Sequence, residues 1–446
     1  MGLLVGVGSL LWLRLLWQAP FHEDEAIYAV WARAILHADP WLTHTPIDKP
    51  PLTLYPIALS MALFGEFTWA ARLPTLLWTL LALALLWRLA AQRHGEPWVA
   101  VALALCSPLL WAQAGAAFTD MAMIALALLA LERAQRGRPM AAGAAFALAI
   151  LAKPTALFLL PLLLACGGRK PVDWWGRAVA AWRPLLFAAA LPLLAAAAWD
   201  ASRTVPSWWV LGQQAYGSVG SGVAALGPWL KALLVTMGIP LGVALVGTSP
   251  PSAPPPPKSG EGGSRDTTPP PLSPYGERGC AEGAGVRASA LLATLLLWGP
   301  VHLILGFQPW PRYLLPMVLL FALWASARRG VRRGMILALP LLLAMPLTLQ
   351  PLALAPHDGR WEGIEEIAVA INALPAGTTL YYREMGRPLA WYARDARAEL
   401  RWLGADGALP EGSAESYVVL RAAEGGPRGG RLVAEAGQFR LWGWDR

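Results

Sequence analysis

Residues 73–90 read LPTLLWTLLALALLWRLA, with a single charged residue, Arg88, near the end. A helix needs roughly 17 to 25 apolar residues to cross the hydrocarbon core of a bilayer, and backbone groups in lipid must find partners within their own segment. The stretch is therefore predicted to be a transmembrane helix. Comparable apolar blocks recur along the chain and predict about eleven crossings: 3–19, 73–90, 98–112, 121–131, 140–152, 154–166, 184–199, 226–247, 288–306, 313–327 and 335–350.

The composition of the whole chain also indicates lipid as its solvent. Hydrophobic residues make up 56% of the 446 residues and charged residues only 14%, whereas soluble domains are about a quarter charged. The formal net charge of +8 does not indicate a nucleic-acid partner, because the arginines cluster in short connections between apolar blocks, where membrane topology explains them.

Two segments differ from the apolar blocks. Residues 249–287 are rich in proline, glycine and serine, which predicts a disordered cytoplasmic linker, with a polyproline ligand as the alternative. Residues 357–446 have the composition of a soluble domain, with a helix predicted over 361–374 and strands over 378–382, 417–420 and 439–442. The predicted fold class is mainly α: a polytopic transmembrane helical bundle over 1–350, followed by a small extracytoplasmic α/β domain.

Arginine placement predicts which loops face the cytoplasm. The basic connections fall on one side only if 140–152 and 154–166 cross the membrane separately; the alternative is one long helix over 140–166. By the positive-inside rule that side is the cytoplasm, so the first long loop, 20–72, and the C-terminal domain lie outside the cytoplasmic (inner) membrane of a bacterium. The connections are Arg88–Arg93, Arg133–Arg138, Arg169–Arg183 and Arg328–Arg333.

This topology gathers ionisable residues at the outer face. The first outer loop carries three consecutive carboxylates, Glu23–Glu25, and an Asp48–Lys49 pair before two prolines. Asp120 and Lys153 fall at helix ends on the same side. Charged groups at membrane depth are costly and are functional candidates. The structural alternative is that these carboxylates only cap helix ends, but it leaves the lysines beside prolines unexplained.

Several segments, in order, resemble the dolichyl-phosphate-mannose protein mannosyltransferase and aminoarabinose transferase group of GT-C glycosyltransferases. No single segment is specific, but their order and spacing are. Asp48 stands where many members have Glu, Ile47 replaces an aromatic residue, and Pro154 replaces the usual Gly. The matching segments are Asp24–Ala29 (DEAIYA), Asp48–Leu52 (DKPPL), Phe64–Gly65, Trp69–Pro74 (WAARLP), Thr119–Asp120, Ala147–Pro161 and Arg312–Pro316 (RYLLP).

The resemblance implies transfer of a sugar from a polyprenyl-phosphate donor, at the outer face, to a lipid, protein or glycan acceptor. Asp24 is expected to act as the general base, with Asp120 and Glu25 as the other catalytic carboxylates. A divalent metal cation shared by Asp24 and Asp120 is an alternative way to hold these two charges together. The residues expected to bind substrate are Lys49, Lys153, Arg312 and Arg72 at the phosphate, Tyr28 and Tyr313 at the sugar, and also Asp48.

Two other classes of protein compete with this interpretation. A transporter or flippase of a lipid-linked sugar would carry polar groups near the bilayer midplane, usually with inverted repeats, and the sequence has neither. A membrane scaffold would leave the acid and lysine pattern of the first loop unexplained.

Overall fold

The chain is described here by a computed structural model. It describes residues 16, 20–92, 95–167, 174–216, 226–247, 291, 294–297, 311–327, 331, 359–383, 385–403 and 416–444. The predicted crossing 335–350 and the predicted linker 249–287 lie outside the described residues, as do most of 3–19, of which only Leu16 is described, and most of 288–306.

The membrane part is built from helices, several of which begin at a proline. Proline is favoured in the first turn of a helix, where its missing N–H costs nothing. The helices are α1 Glu23–His37, α2 Leu54–Phe64, α3 Thr68–Gln92, α4 Pro97–Leu105, α5 Pro108–Ala114, α6 Asp120–Gln135, α7 Pro139–Ala152, α8 Leu160–Gly167, α9 Trp174–Ala201, α10 Trp208–Tyr216, α11 Leu226–Gly247 and α12 Leu315–Ala325, with 3₁₀ turns at Pro51–Thr53, Pro154–Leu159 and Pro311–Leu314.

Many of these helices lie where crossings were predicted, but few of them are long enough to cross a membrane by themselves. Among the described residues, two helical segments are long and apolar enough to span a membrane, Thr68–Gln92 and Trp182–Ala201. A third crossing is counted if α4 and α5, which meet at an angle of 79°, form one broken span. The predicted segment 226–247 coincides with α11. The count of about eleven crossings is not confirmed.

The open question over 140–166 is answered by a break at Lys153. Helix α7 ends at Ala152, and Lys153 has an extended backbone (φ −159°, ψ 124°) before the 3₁₀ turn that begins at Pro154. A residue before proline is driven out of the helical region by the proline ring. The segment is therefore two helical pieces, with Lys153 at their junction.

The largest apolar core lies among the membrane helices. Residues from α3, α4, α6 and α7 form it together with α12, and alanine and leucine predominate. Small residues allow helix backbones to approach closely in membranes. At Gly143 of α7 a Cβ atom would lie 2.0 Å from the carbonyl oxygen of Leu185 in α9, so only glycine permits this contact.

The C-terminal domain is a small α/β unit. It contains α13 Ile364–Asn372 and α14 Gly386–Tyr392, and five strands: β1 Thr379–Tyr382, β2 Glu399–Trp402, β3 Ser416–Arg421, β4 Gly430–Ala436 and β5 Phe439–Trp444. The strand order is β2-β1-β3-β5-β4, parallel from β2 to β3 and antiparallel beyond. The predicted helix and the three predicted strands correspond to α13, β1, β3 and β5; β2, β4 and α14 were not predicted.

This domain contacts the first loop directly, through α14. The Tyr392 hydroxyl accepts a hydrogen bond from the Phe21 backbone N–H at 2.7 Å. The Arg33 guanidinium donates to the Ala390 carbonyl and lies 5.1 Å from the Trp391 ring centroid. Trp391 belongs to the same apolar cluster as α1 and α2. The contact places the start of α1 between the membrane helices and the C-terminal domain.

Candidate active site

One cavity of about 350 Å³ collects most of the predicted site residues; we call it the main cavity. It is formed where α1, the segment before Pro51, the start of α6, the break after α7, and α10 meet the 3₁₀ turn Pro311–Leu314. Seven of the predicted residues line it: Tyr28, Asp48, Lys49, Asp120, Lys153, Arg312 and Tyr313. Residues separated by up to 285 positions in sequence therefore contribute to one site.

Two lysine–carboxylate pairs lie in the main cavity. The Lys153 Nζ is 2.6 Å from Asp120 Oδ1 and 4.5 Å from the Tyr313 ring centroid. The Lys49 Nζ is 3.0 Å from Asp48 Oδ2. Burial lowers the pKa of Lys49, while the neighbouring Asp48 carboxylate opposes that shift. Desolvated ammonium groups held in place by carboxylates can attract a phosphate strongly, because little water has to be removed when it binds.

Asp24 lies beside this cavity and contacts two arginines. Its Oδ2 accepts from Arg312 NH1 at 2.8 Å, and its Oδ1 accepts from Arg387 NH1 at 3.1 Å. Burial alone would raise the pKa of Asp24, but the charge of Arg312, followed by His22 and Arg387, outweighs burial and lowers the pKa to about 2. The side chain is therefore an anion throughout the physiological pH range.

The local sequence fixes how Asp24 is presented. His22 caps α1 by accepting the Asp24 backbone N–H on its Nδ1 at 3.2 Å, and Glu25 returns to accept the His22 N–H at 3.0 Å. This reciprocal arrangement satisfies N–H groups that have no partner in the first helical turn. It orients Glu25 into the protein and Asp24 towards Arg312.

Glu25 and Arg72 were predicted as site residues, and the structure does not bring them to the main cavity. Both side chains have no exposed surface and pair with each other, Arg72 Nε to Glu25 Oε1 at 2.8 Å and NH2 to Oε2 at 3.0 Å. Glu25 also accepts the Ala117 N–H at 2.7 Å. Arg72 donates to the Leu16 and Pro20 carbonyls. Their position indicates that they join α1, α3 and the loop before α6.

Several residues at the site were missed from the sequence. Trp208, Trp209 and Gly212 of α10 line the main cavity, as do Leu157 and Phe158. Their types carried no signal, since tryptophan and leucine are abundant throughout the chain. Arg387 lies in the soluble domain, and no sequence pattern connects it with Asp24.

The carboxylates do not fit the metal site considered from the sequence. Asp24 and Asp120 are each already bonded to cationic side chains of the protein. Among the residues that the structure describes, no group of three or more His, Cys, Asp or Glu side chains is placed to hold a metal ion. A hard divalent cation requires several oxygen ligands, and Asp24 and Asp120 do not supply them together.

Comparison with known proteins agrees with the resemblance. Residues 48–199 match the family model for dolichyl-phosphate-mannose-protein mannosyltransferase. The fold matches crystal structures of ArnT from Cupriavidus metallidurans, in the apo state and bound to undecaprenyl phosphate, with 15% and 16% identity. In both, the TM-score is 0.63 and the match covers 99% of this chain and 97% of the other. The family model covers about a third of the chain, and the ArnT structures show a shared fold. Both findings agree with the membrane location predicted from the sequence.

A cryo-EM structure of the arabinosyltransferase EmbB from Mycobacterium smegmatis matches less well. The identity is 19%, the TM-score is 0.44, and the match covers 84% of this chain and 32% of EmbB. No curated protein sequence matches the chain. The comparisons therefore give a family-model match over residues 48–199 and a fold shared with ArnT.

Proposed function

We propose that this protein is a GT-C glycosyltransferase that transfers a sugar from a polyprenyl-phosphate donor to an acceptor hydroxyl at the outer face of the cytoplasmic membrane. The observation that carries the proposal is the composition of the main cavity. Lys49, Lys153 and Arg312 bring three cations to the cavity, where Asp48 and Asp120 hold the two lysines, and Asp24 contacts Arg312 from beside it. Apolar side chains contribute much of the remaining lining. A phosphate with a hydrocarbon tail requires both kinds of surface.

The tail of the donor is assigned to the apolar side of the cavity. Phe158 and Trp208 line it, and Leu157 and Trp209 are 46% and 50% exposed. Apolar surface exposed in this region would meet lipid rather than water. A polyprenyl chain can thus remain in the membrane while its phosphate reaches the cations. The undecaprenyl phosphate bound in one ArnT structure supports this class of ligand.

The reaction proposed is displacement at the anomeric carbon. The acceptor oxygen forms a bond to that carbon, the bond to the phosphate oxygen breaks, and polyprenyl phosphate leaves with the electron pair. Lys49, Lys153 and Arg312 stabilise the charge that grows on the leaving phosphate. Asp24 accepts the acceptor's proton, and Asp120 holds Lys153 in position through the 2.6 Å ion pair. Tyr28, Tyr313 and Asp48 line the same cavity, and in this reaction they contact the sugar.

The low pKa of Asp24 has a consequence for this role. A carboxylate with a pKa of about 2 is ionised but is a weak base. Donor phosphate that binds Arg312 shares that guanidinium with Asp24. Because Arg312 is the largest of the charges lowering the pKa, sharing it raises the proton affinity of Asp24. The base is thus strengthened when the donor is present.

The test is turnover by purified protein. Detergent-solubilised protein is incubated with a polyprenyl-phosphate sugar labelled in the sugar, and released polyprenyl phosphate is measured with and without envelope extract as the source of acceptor. Acceptor-dependent release is expected. A transporter or flippase would move the donor intact across proteoliposomes, so transport without cleavage would refute the proposal.

A further inference from the structure

A second cavity, of about 640 Å³, lies between the C-terminal domain and the start of α1. We call it the arginine cavity, because Arg360, Arg383, Arg387 and Arg421 line it, together with three aromatic side chains. Glu23 is the acidic residue in its lining. The reaction proposed for the main cavity makes no use of this cavity.

The arginine cavity has an excess of positive charge. Nearby carboxylates offset part of it: Asp24 pairs with Arg387 at 3.1 Å, and Glu424 pairs with Arg383 at 3.0 Å. The arginines still outnumber Glu23, Asp24 and Glu424 taken together. A low-dielectric concavity with one sign of charge concentrates ligands of the opposite sign.

Two of the arginines are held in place before any ligand binds. The Arg421 guanidinium lies 4.6 Å from the Trp361 ring centroid and 4.8 Å from that of Phe439, and it also donates to the Arg360 carbonyl. Arg383 is held by Glu424 and keeps 25% of its side-chain surface exposed. Planar guanidinium groups with fixed orientation match the paired oxygens of phosphate and carboxylate.

The rim of the cavity adds apolar surface. Trp402 of β2 is 68% exposed, whereas tryptophan side chains in proteins are on average largely buried. Trp402 lies beside Tyr382 of β1 in the sheet, and both line the cavity. A ligand with an anionic group and a larger body fits such a site better than a small inorganic ion does.

Arg387 connects this cavity with the reacting acid. It lines the arginine cavity, and its NH1 also donates to Asp24, which in turn contacts Arg312 of the main cavity. We propose that the arginine cavity binds a phosphate or carboxylate group of the acceptor, so that the acceptor is an anionic molecule. This inference rests on the proposed transferase function. An anion seated on Arg387 would hold the acceptor hydroxyl on the Asp24 side.

The experiment separates this site from the donor site. Full-length protein in detergent is first saturated with undecaprenyl phosphate, and binding of labelled pyrophosphate is then measured by equilibrium dialysis. Arg360→Gln and Arg383→Gln each remove one charge from the cavity, and each should weaken pyrophosphate binding about tenfold or more. Arg401→Gln is the matched control: it removes an exposed arginine paired with Glu399 on β2 and should bind as wild type does.

Two competitors identify the source of the anion. Glucose 6-phosphate represents a soluble glycan phosphate, and dioctanoyl phosphatidate represents a lipid phosphate; displacement of pyrophosphate by either supports the subsite and names its source. If neither displaces pyrophosphate, if the saturated protein binds none, or if both variants bind like wild type, the proposal is wrong. Undecaprenyl phosphate affinity should stay unchanged in both variants. If wild type binds pyrophosphate and the two variants do not, but wild type never cleaves the donor, the anion site is supported while the transferase function is refuted.

Discussion

Replacing Glu25 by Gln tests whether this carboxylate is structural or catalytic. The side chain is fully buried and accepts four hydrogen bonds, two from Arg72 and two from backbone N–H groups. Glutamine keeps the size but removes the charge, which leaves the Arg72 guanidinium buried without its counter-ion. Breaking a buried ion pair in this way costs about 3–5 kcal/mol. The protein should therefore be destabilised strongly.

The expected change can be expressed as a melting temperature. An unfolding entropy of about 2.1 cal/mol/K per residue gives about 0.9 kcal/mol/K for a chain of this length, so the melting temperature should fall by about 3–5 °C. The assay is thermal unfolding of detergent-purified protein, followed by tryptophan fluorescence. Glu66→Gln is the control, because its pairs with His37 and Arg394 are partly exposed and should contribute less than about 1 kcal/mol.

A double-mutant cycle gives the decisive comparison. Arg72→Gln should also destabilise, and the double variant should cost clearly less than the sum of the two, since neither charge is then left alone. Transfer activity per folded molecule should remain near that of wild type for Glu25→Gln. An unchanged melting temperature together with lost transfer would show that Glu25 takes part in the chemistry, as the sequence had suggested.

Three further predictions concern the site and its orientation. Asp24→Asn should reduce transfer by about 10² to 10⁴-fold with unchanged melting temperature. Asp395→Asn, at an exposed position, is the control, and retention of half the activity in Asp24→Asn would make Asp120 the leading candidate for the base. Lys49→Ala and Lys153→Ala should each lower kcat/KM about 10- to 100-fold and weaken polyprenyl-phosphate binding. Lys49→Arg should restore little of either, and Lys231→Ala, at an exposed position, should change neither. Lipid binding like that of wild type in both alanine variants would contradict the phosphate role. Alkaline-phosphatase fusions at residue 360 should be active and fusions at 265 inactive, and the reverse pattern would invert the topology.

The charged residues of the main cavity could be singled out from the sequence because they are unusual in their surroundings. Lysines beside prolines and an aspartate at the start of an apolar helix are conspicuous where almost every neighbour is apolar. Lys153 also marks the helix break, because Pro154 forbids a helical backbone at the residue before it. Lys153 therefore indicates both the break in the helix and a residue of the site.

The roles of the neighbouring carboxylates could not be predicted. Asp24 and Glu25 are adjacent, and a helix turns about 100° per residue, so one points towards Arg312 and the other towards Arg72. Which is which depends on the helix start, and that is fixed by the His22 cap, whose geometry is set only in the folded chain. Both arginines were visible in the sequence, but the pairing was not.

The C-terminal domain was predicted only where burial leaves a pattern. Strand β5 alternates buried and half-buried residues and β3 is mostly buried, whereas all four residues of β2 are exposed. Strand β2 lies at the edge of the sheet, and its alternating sequence ELRW is only four residues long, too short to separate a strand from a loop. Trp402, which the arginine cavity uses, lies on that strand.

Asp24 is the point at which two distant parts of the chain meet, and this bears on the order of events. Arg312 reaches it from the membrane helices, 288 residues away, and Arg387 from the soluble domain, 363 residues away. In the proposed reaction Arg312 binds the donor phosphate, and Arg387 binds an anionic group of the acceptor. Each substrate then draws positive charge from the same carboxylate, and Asp24 is most basic when both are bound. Such an arrangement would discourage transfer of the sugar to water. A water molecule has no anionic group to bind Arg387, so Arg387 would stay paired with Asp24 and keep it a weak base.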